Sequence, residues 1–107
     1  MKILITGGKS ASALKLLKAF PNDKVVLADY GEMPSIVTAR YYFISLGERN
    51  DDIIAHNLLN HCLDEAVDAV LPLHHFEMED IAKSAVLFEE FSIKVLMPEA
   101  DQIIHLN

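Results

Sequence analysis

The first twenty residues, MKILITGGKSASALKLLKAF, leave few folds open to this chain. Ile3-Leu4-Ile5 is a short, unbroken apolar run, the mark of a strand buried on both faces of a parallel sheet. Gly7-Gly8 then breaks the pattern with two of the chain's four glycines. From Ser10 the period becomes helical. Ala13, Leu16, Leu17 and Phe20 share one face, and Lys15 and Lys18 turn away. Ser10 is placed to cap this helix and Pro21 to end it. A strand, a glycine turn and a helix start form an anion site, because unpaired N–H groups and the helix dipole converge there.

The rest of the chain repeats the alternation. Lys24 to Asp29 read as a second strand ending in an acid, and residues 30–40 as an irregular connection containing Gly31 and Pro34. Tyr41 to Ile44 form a third strand by β-propensity. Asn50 or Asp51 caps a helix whose apolar stripe is Ala55, Leu58, Leu59, Cys62 and Ala66. Val67 to Leu71 form a fourth strand, stopped by Pro72. A further helix turns Met78, Ile81, Ala82, Ala85 and Phe88 inward, and Ser92 to Met97 form a fifth strand closed by Pro98. Strands alternating with helices imply right-handed crossovers. The expected fold is α/β: a Rossmann-like three-layer α/β/α domain around a five-stranded parallel sheet of order 3-2-1-4-5. Its switch point lies between strands 1 and 4. There Thr6 to Ser10 meet Pro72-Leu73-His74-His75 in one crevice, where a ligand belongs.

A length of 107 residues suits one domain with a single core. No apolar run is long enough to cross a bilayer, and the N-terminus does not read as a signal peptide, so a cytoplasmic protein away from membranes is expected. Cys62 is the only cysteine, which excludes an internal disulfide and a cysteine-based zinc cluster. The net charge of −7 argues against nucleic acid as a partner. The charge is uneven: residues 1–24 carry five lysines against Asp23, while the remainder carries four basic against fifteen acidic residues. The positive end coincides with the glycine turn and favours a small anionic ligand.

At this point the chain resembles a known family. ILITGGKSASALKLLKAF, ADYGEMPSIVTARYYF, DAVLPLHHFE and IKVLMPEADQI occur in the order seen in the N-terminal pre-ATP-grasp domain of ATP-grasp ligases, in the style of the carbamoyl-phosphate-synthase large-subunit-like group. Ala39-Arg40-Tyr41 departs from that family's Ser-Arg-Tyr at its first position, and Lys9 stands where many relatives have arginine. The resemblance implies a pre-ATP-grasp domain over residues 1–97, with 98–107 starting a helix toward an absent ATP-grasp region. It implies a substrate-side, structural domain of a carboxylate–amine or carboxylate–ammonia ligase, without turnover by itself. No cofactor is expected for this chain alone, ATP and magnesium belonging to the full-length family. The missing lobes, or a separate chain carrying them, are the implied partner. Ile103, Ile104 and Leu106 would then be exposed, disordered or covered by a neighbour, a possible homodimer among the arrangements.

Candidate site residues follow from the crevice. Gly7, Gly8, Lys9 and Ser10 are candidates to bind phosphate or carboxylate through backbone N–H groups, with Lys9 as a point charge; a tight turn that needs only small residues reads the same. The loop is not a Walker A, and it misses G-x-G-x-x-G because Lys9 replaces the second glycine. Asp29 ends strand two, where a dinucleotide-binding protein holds a ribose with an acid; a strand-end acid satisfied by nearby backbone is the plainer reading. Arg40 is a candidate carboxylate or phosphate anchor, or an ion-pair partner of Asp29 or Glu32. His74 is a candidate ligand-binding residue, although with His75 it reads more simply as a pair capping the next helix than as a zinc site. No metal site and no catalytic nucleophile are expected. Two further readings stay open: a free-standing nucleotide- or NAD-binding Rossmann module, and a small regulatory or assembly domain.

Overall fold

The computed structural model describes residues 1–105. Five strands form one sheet: β1 (Lys2–Ile5), β2 (Lys24–Asp29), β3 (Tyr41–Ser45), β4 (Ala69–Leu71) and β5 (Lys94–Val95). Their order is β3-β2-β1-β4-β5, and every pairing is parallel. The expected Rossmann-like α/β architecture is therefore the observed one. Ile5 is in register with both Leu27 and Leu71, so β1 and β4 end level while β2 runs two residues further, to Asp29, on the same edge.

The sheet is apolar on both faces because crossover connections cover both. Leu4, Val26, Ala28 and Val70 face α2 (Ile54–Asp64), α3 (His75–Lys83) and α4 (Ala85–Glu90). Helix α2 buries Ile54, Leu58, Leu59 and Cys62 on one stripe, and burial pushes the Cys62 thiol up to about 12. The opposite face presents Ile3, Ile5, Val25, Leu27, Ala69 and Leu71 to α1 (Ala11–Leu16). That second layer is thin, because α1 has six residues and 30–40 supplies no helix. Arg40 belongs to this layer: its guanidinium donates to the carbonyls of Leu17 and Phe20 at 2.8 and 2.9 Å, closing the end of the α1 turn. It forms no pair with Asp29 or Glu32 among the described residues.

Three expectations are corrected. The single helix after His74 is two, parted at Ser84 (φ −102°, ψ 8°); neither proline nor glycine marks the break, and the apolar spacing runs through it. The buried stripe also includes Glu77, while Ala82 is exposed and Met78 only half-buried. The segment after Pro98 is not a helix. It makes one 3-10 turn at Ala100–Gln102 and then extends, Ile104 N–H donating to Leu73 O at 2.7 Å and His75 N–H to Ile104 O at 2.9 Å. These bonds to the end of β4 hold the chain straight where a helix would need them internally. Ile103 and Ile104 are accordingly half-buried by their own chain, and Leu106 lies outside the described residues.

Candidate functional site

The ends of β1, β2 and β4 meet at a turn that two glycines make possible. Gly7 has φ +65°, and a Cβ there would stand 2.5 Å from Ile104 Cδ1 and 3.3 Å from Leu73 Cβ. Gly8 answers a different need: a Cβ would meet the backbone of Ala28 and Leu27 at 2.8 Å, so only glycine lets the loop lie against β2. Gly8 N–H donates to Ala28 O at 2.9 Å and Lys9 N–H to Asp29 Oδ2 at 3.2 Å. Ser10 N–H and Ser10 Oγ–H both donate to Gly7 O, and Ser10 Oγ accepts from Ala13 N–H at 3.1 Å, the expected cap. The amides of Gly8, Lys9, Ser10 and Ala13 thus all have acceptors within the chain.

Beside this turn lies a cleft of about 460 Å³, lined by Lys9, Ser10, Asp29, Tyr30, Arg49, His74, Phe76 and Ile104. It sits at the switch point between β1 and β4, where the topology places a ligand. The sequence candidates Lys9, Ser10, Asp29 and His74 come together here, with Gly7 and Gly8 beneath. Arg40 stays away, on the α1 layer.

Asp29 is the hub. Its Oδ1 accepts from Tyr30 N–H at 2.9 Å and lies 2.9 Å from His74 Nε2. Burial alone would raise its pKa. The hydrogen bonds from His74 and from the Tyr30 and Lys9 amides outweigh that and hold the carboxyl below the usual range. An ionised carboxylate only accepts, so the Nε2 between them carries the proton. The His74 ring stacks on Phe76 with centroids 4.9 Å apart. His74 occupies the residue before α3 without making a side-chain cap, so the capping role expected of the histidine pair is not the observed one. Its ring turns to Asp29 instead.

Behind the cleft wall is a second carboxyl. Glu77 is fully buried and accepts from the hydroxyls of Thr6 and Tyr30, the latter at 2.6 Å, while Thr6 Oγ1 accepts Leu73 N–H at 2.8 Å. Burial pushes the Glu77 carboxyl above the usual range despite these bonds, and burial with the Glu77 charge pushes the Tyr30 hydroxyl well above its own. The chain of contacts from β1 through α3 to the end of β2 fixes Tyr30, which forms one wall. Two cations flank the mouth. Lys9 Nζ donates to the carbonyls of Tyr30 and Glu32 at 2.8 and 3.2 Å. The Arg49 guanidinium stands 3.6 Å above the Phe76 ring and pairs with Asp51 at 2.7 Å.

Tyr30, Arg49, Phe76 and the buried role of Glu77 escape a sequence reading. One signal was present: Glu77 is four residues before Ile81, a charge inside the apolar stripe. Among the described residues no group of three or more His, Cys, Asp or Glu is arranged to hold a metal ion. Among the same residues no helix is long and apolar enough to cross a membrane.

No protein-family model and no curated protein matches the chain. Solved structures do. One is dTDP-glucose 4,6-dehydratase from Bacillus anthracis str. Ames in complex with NAD, with 20% identity over 91% of this chain and 36% of that one, at a TM-score of 0.57. Another is a mutated uronate dehydrogenase, with 16% identity over 67% of this chain and 24% of that one; its TM-score of 0.48 is too low to carry weight. The chain spans about a third of the dehydratase it matches. The resemblance to the pre-ATP-grasp domain, the carbamoyl-phosphate-synthase kinship and the ATP and magnesium that went with them are corrected by this comparison. So is the expectation of no cofactor, since the matching fold is that of an enzyme seen with NAD. The residues that suggested the ligases have local duties: Gly7 and Gly8 make the turn, and Arg40 ties down the α1 end. At this level of identity the match is one of architecture, and the architecture is Rossmann-like.

Proposed function

We propose that this chain is a nucleotide-binding Rossmann module whose cleft takes the adenosine ribose and phosphate of NAD or a related nucleotide. The observation that carries the reading is Asp29. It ends β2 at the rim of the cleft, is held ionised by three hydrogen bonds, and stands across from the Gly7-Gly8 turn. A carboxylate at this place in a Rossmann sheet is suited to accept from ribose hydroxyls. The likeness in fold to a dehydratase in complex with NAD supports the same reading over that of a ligase domain. Because the neighbouring amides have acceptors within the chain, Lys9 and Arg49 are the groups that meet the phosphates. The aromatic faces of Tyr30 and Phe76 supply the apolar wall.

Titrating the chain with NAD by calorimetry tests the proposal. Saturable binding is expected, weakened at least about 10-fold by Asp29→Ala, the scale of a lost hydrogen bond to a charged group. Circular dichroism checks that the variant is folded. Heat signals that never saturate, or an affinity indifferent to Asp29, would remove this function.

A further inference from the structure

Ile104 touches both banks of the crevice at the switch point. Its backbone belongs to the β4 side: Ile104 N–H donates to Leu73 O at 2.7 Å and His75 N–H returns to Ile104 O at 2.9 Å, a parallel bridge between His74 and Ile104. Its side chain belongs to the β1 side. A Cβ on Gly7 would stand 2.5 Å from Ile104 Cδ1, so the aliphatic tip rests against the bare α-carbon of the turn after β1. The residue is half-buried and forms one wall of the cleft. The turn before it is pinned separately, Glu99 N–H donating to Gln102 Oε1 at 2.8 Å and Gln102 N–H to Glu99 O at 2.9 Å. Residues 103–105 thus form a short strap that begins past a fixed turn and is held shut by two backbone bonds and one side chain.

A Rossmann sheet takes a dinucleotide in two halves, one on each side of the point where the strand order reverses. Asp29 ends β2, on one side of β1, and the strap lies at the end of β4, on the other. With the strap shut, the cleft still gives access to Lys9, Asp29 and Arg49, the groups that meet one ribose and its phosphate. The second half of a dinucleotide has to pass over Gly7 into the space that Ile104 fills. Building on the nucleotide reading, we propose that Ile104 is a specificity-determining residue that favours mononucleotides: AMP enters with the strap shut, and NAD binds only by lifting residues 103–105 off the turn. Lifting the strap breaks its two backbone bonds and exposes the Ile104 side chain, a local opening that leaves the sheet intact. That cost falls on the dinucleotide alone.

Calorimetric titrations with AMP and with NAD, on the natural chain and on Ile104→Ala, test this. The natural chain should prefer AMP. Alanine at 104 clears the turn and loosens the strap, so the ratio of NAD affinity to AMP affinity should rise about 10-fold, the scale of removing a few partly buried carbons. A ratio that stays the same or falls, or NAD bound where AMP is not, overturns the inference and leaves the nucleotide reading standing. A second measurement needs no variant. Hydrogen exchange at the amides of Ile104 and His75, both bonded within the strap, should quicken on saturation with NAD and not with AMP. Amides equally or better protected with NAD bound also overturn the inference. If neither nucleotide binds either chain, the nucleotide reading fails and the inference falls with it.

Discussion

Glu77 is a carboxyl sealed between two hydroxyls, and its burial has a measurable sign. Its folded pKa lies above the ordinary value, with burial the largest cause. Such a group favours the folded state most fully below about pH 4, the unfolded value, and that contribution is lost as pH rises through the folded value. Glu77→Gln keeps the shape and removes the charge. The unfolding free energy of the variant relative to the natural chain should therefore climb as pH rises from about 4, by about 1.4 kcal/mol for each tenfold difference in acidity between the folded and unfolded chain. Urea unfolding at several pH values reads this directly; a gap that stays flat with pH would show that Glu77 does not hold its proton in the fold. In the sequence only its place in the apolar stripe of α3 sets this residue apart. The partners of Glu77 are 71 and 47 positions away, at Thr6 and Tyr30, and only the folded sheet brings them within a hydrogen bond.

The helices that feed β4 and β5 end alike. After α2, Val67 N–H donates to Cys62 O and Ala66 N–H to Leu63 O; after α4, Ile93 N–H donates to Phe88 O and Ser92 N–H to Glu89 O. Both are Schellman motifs, and the residue at the left-handed position is Ala66 (φ 54°) in one and Ser92 (φ 61°) in the other. Glycine is at ease there and other residues are strained. Ala66→Gly and Ser92→Gly should each stabilise the chain, by about 0.5–1 kcal/mol after the greater flexibility of the unfolded glycine is counted. Thermal unfolding checks both, and a lowered midpoint would contradict the strain. This is also why the starts of β4 and β5 were hard to read. Without glycine to mark the stop, Val67 and Ser92 look like strand, whereas β2, bounded by the Pro21 turn and Asp29, was legible to the residue.

At the scale of the molecule, the order of five parallel strands was legible because Ile3-Leu4-Ile5, Val25-Val26-Leu27 and Ala69-Val70-Leu71 carry unbroken apolar runs. That apolar signature belongs to the Rossmann plan and not to one family within it, so the same residues also suggested a ligase domain. The cleft was legible in place but only half in content: the strand ends located it, while the aromatic wall from 30 and 76 and the lid of Ile104 depend on how connections fold back. If the cleft binds NAD in the native state alone, NAD at a hundred times its dissociation constant should add about 2.7 kcal/mol to the unfolding free energy. A thermal midpoint that does not move would mean no such coupling. The contact of Ile104 with Gly7 has a practical side. Two backbone hydrogen bonds and one aliphatic side chain tie Ile104 to the floor of the crevice. A fluorophore grafted at position 105 would therefore sit within a residue of the entrance and register an arriving guest optically, while a bulky group at that position would jam the doorway.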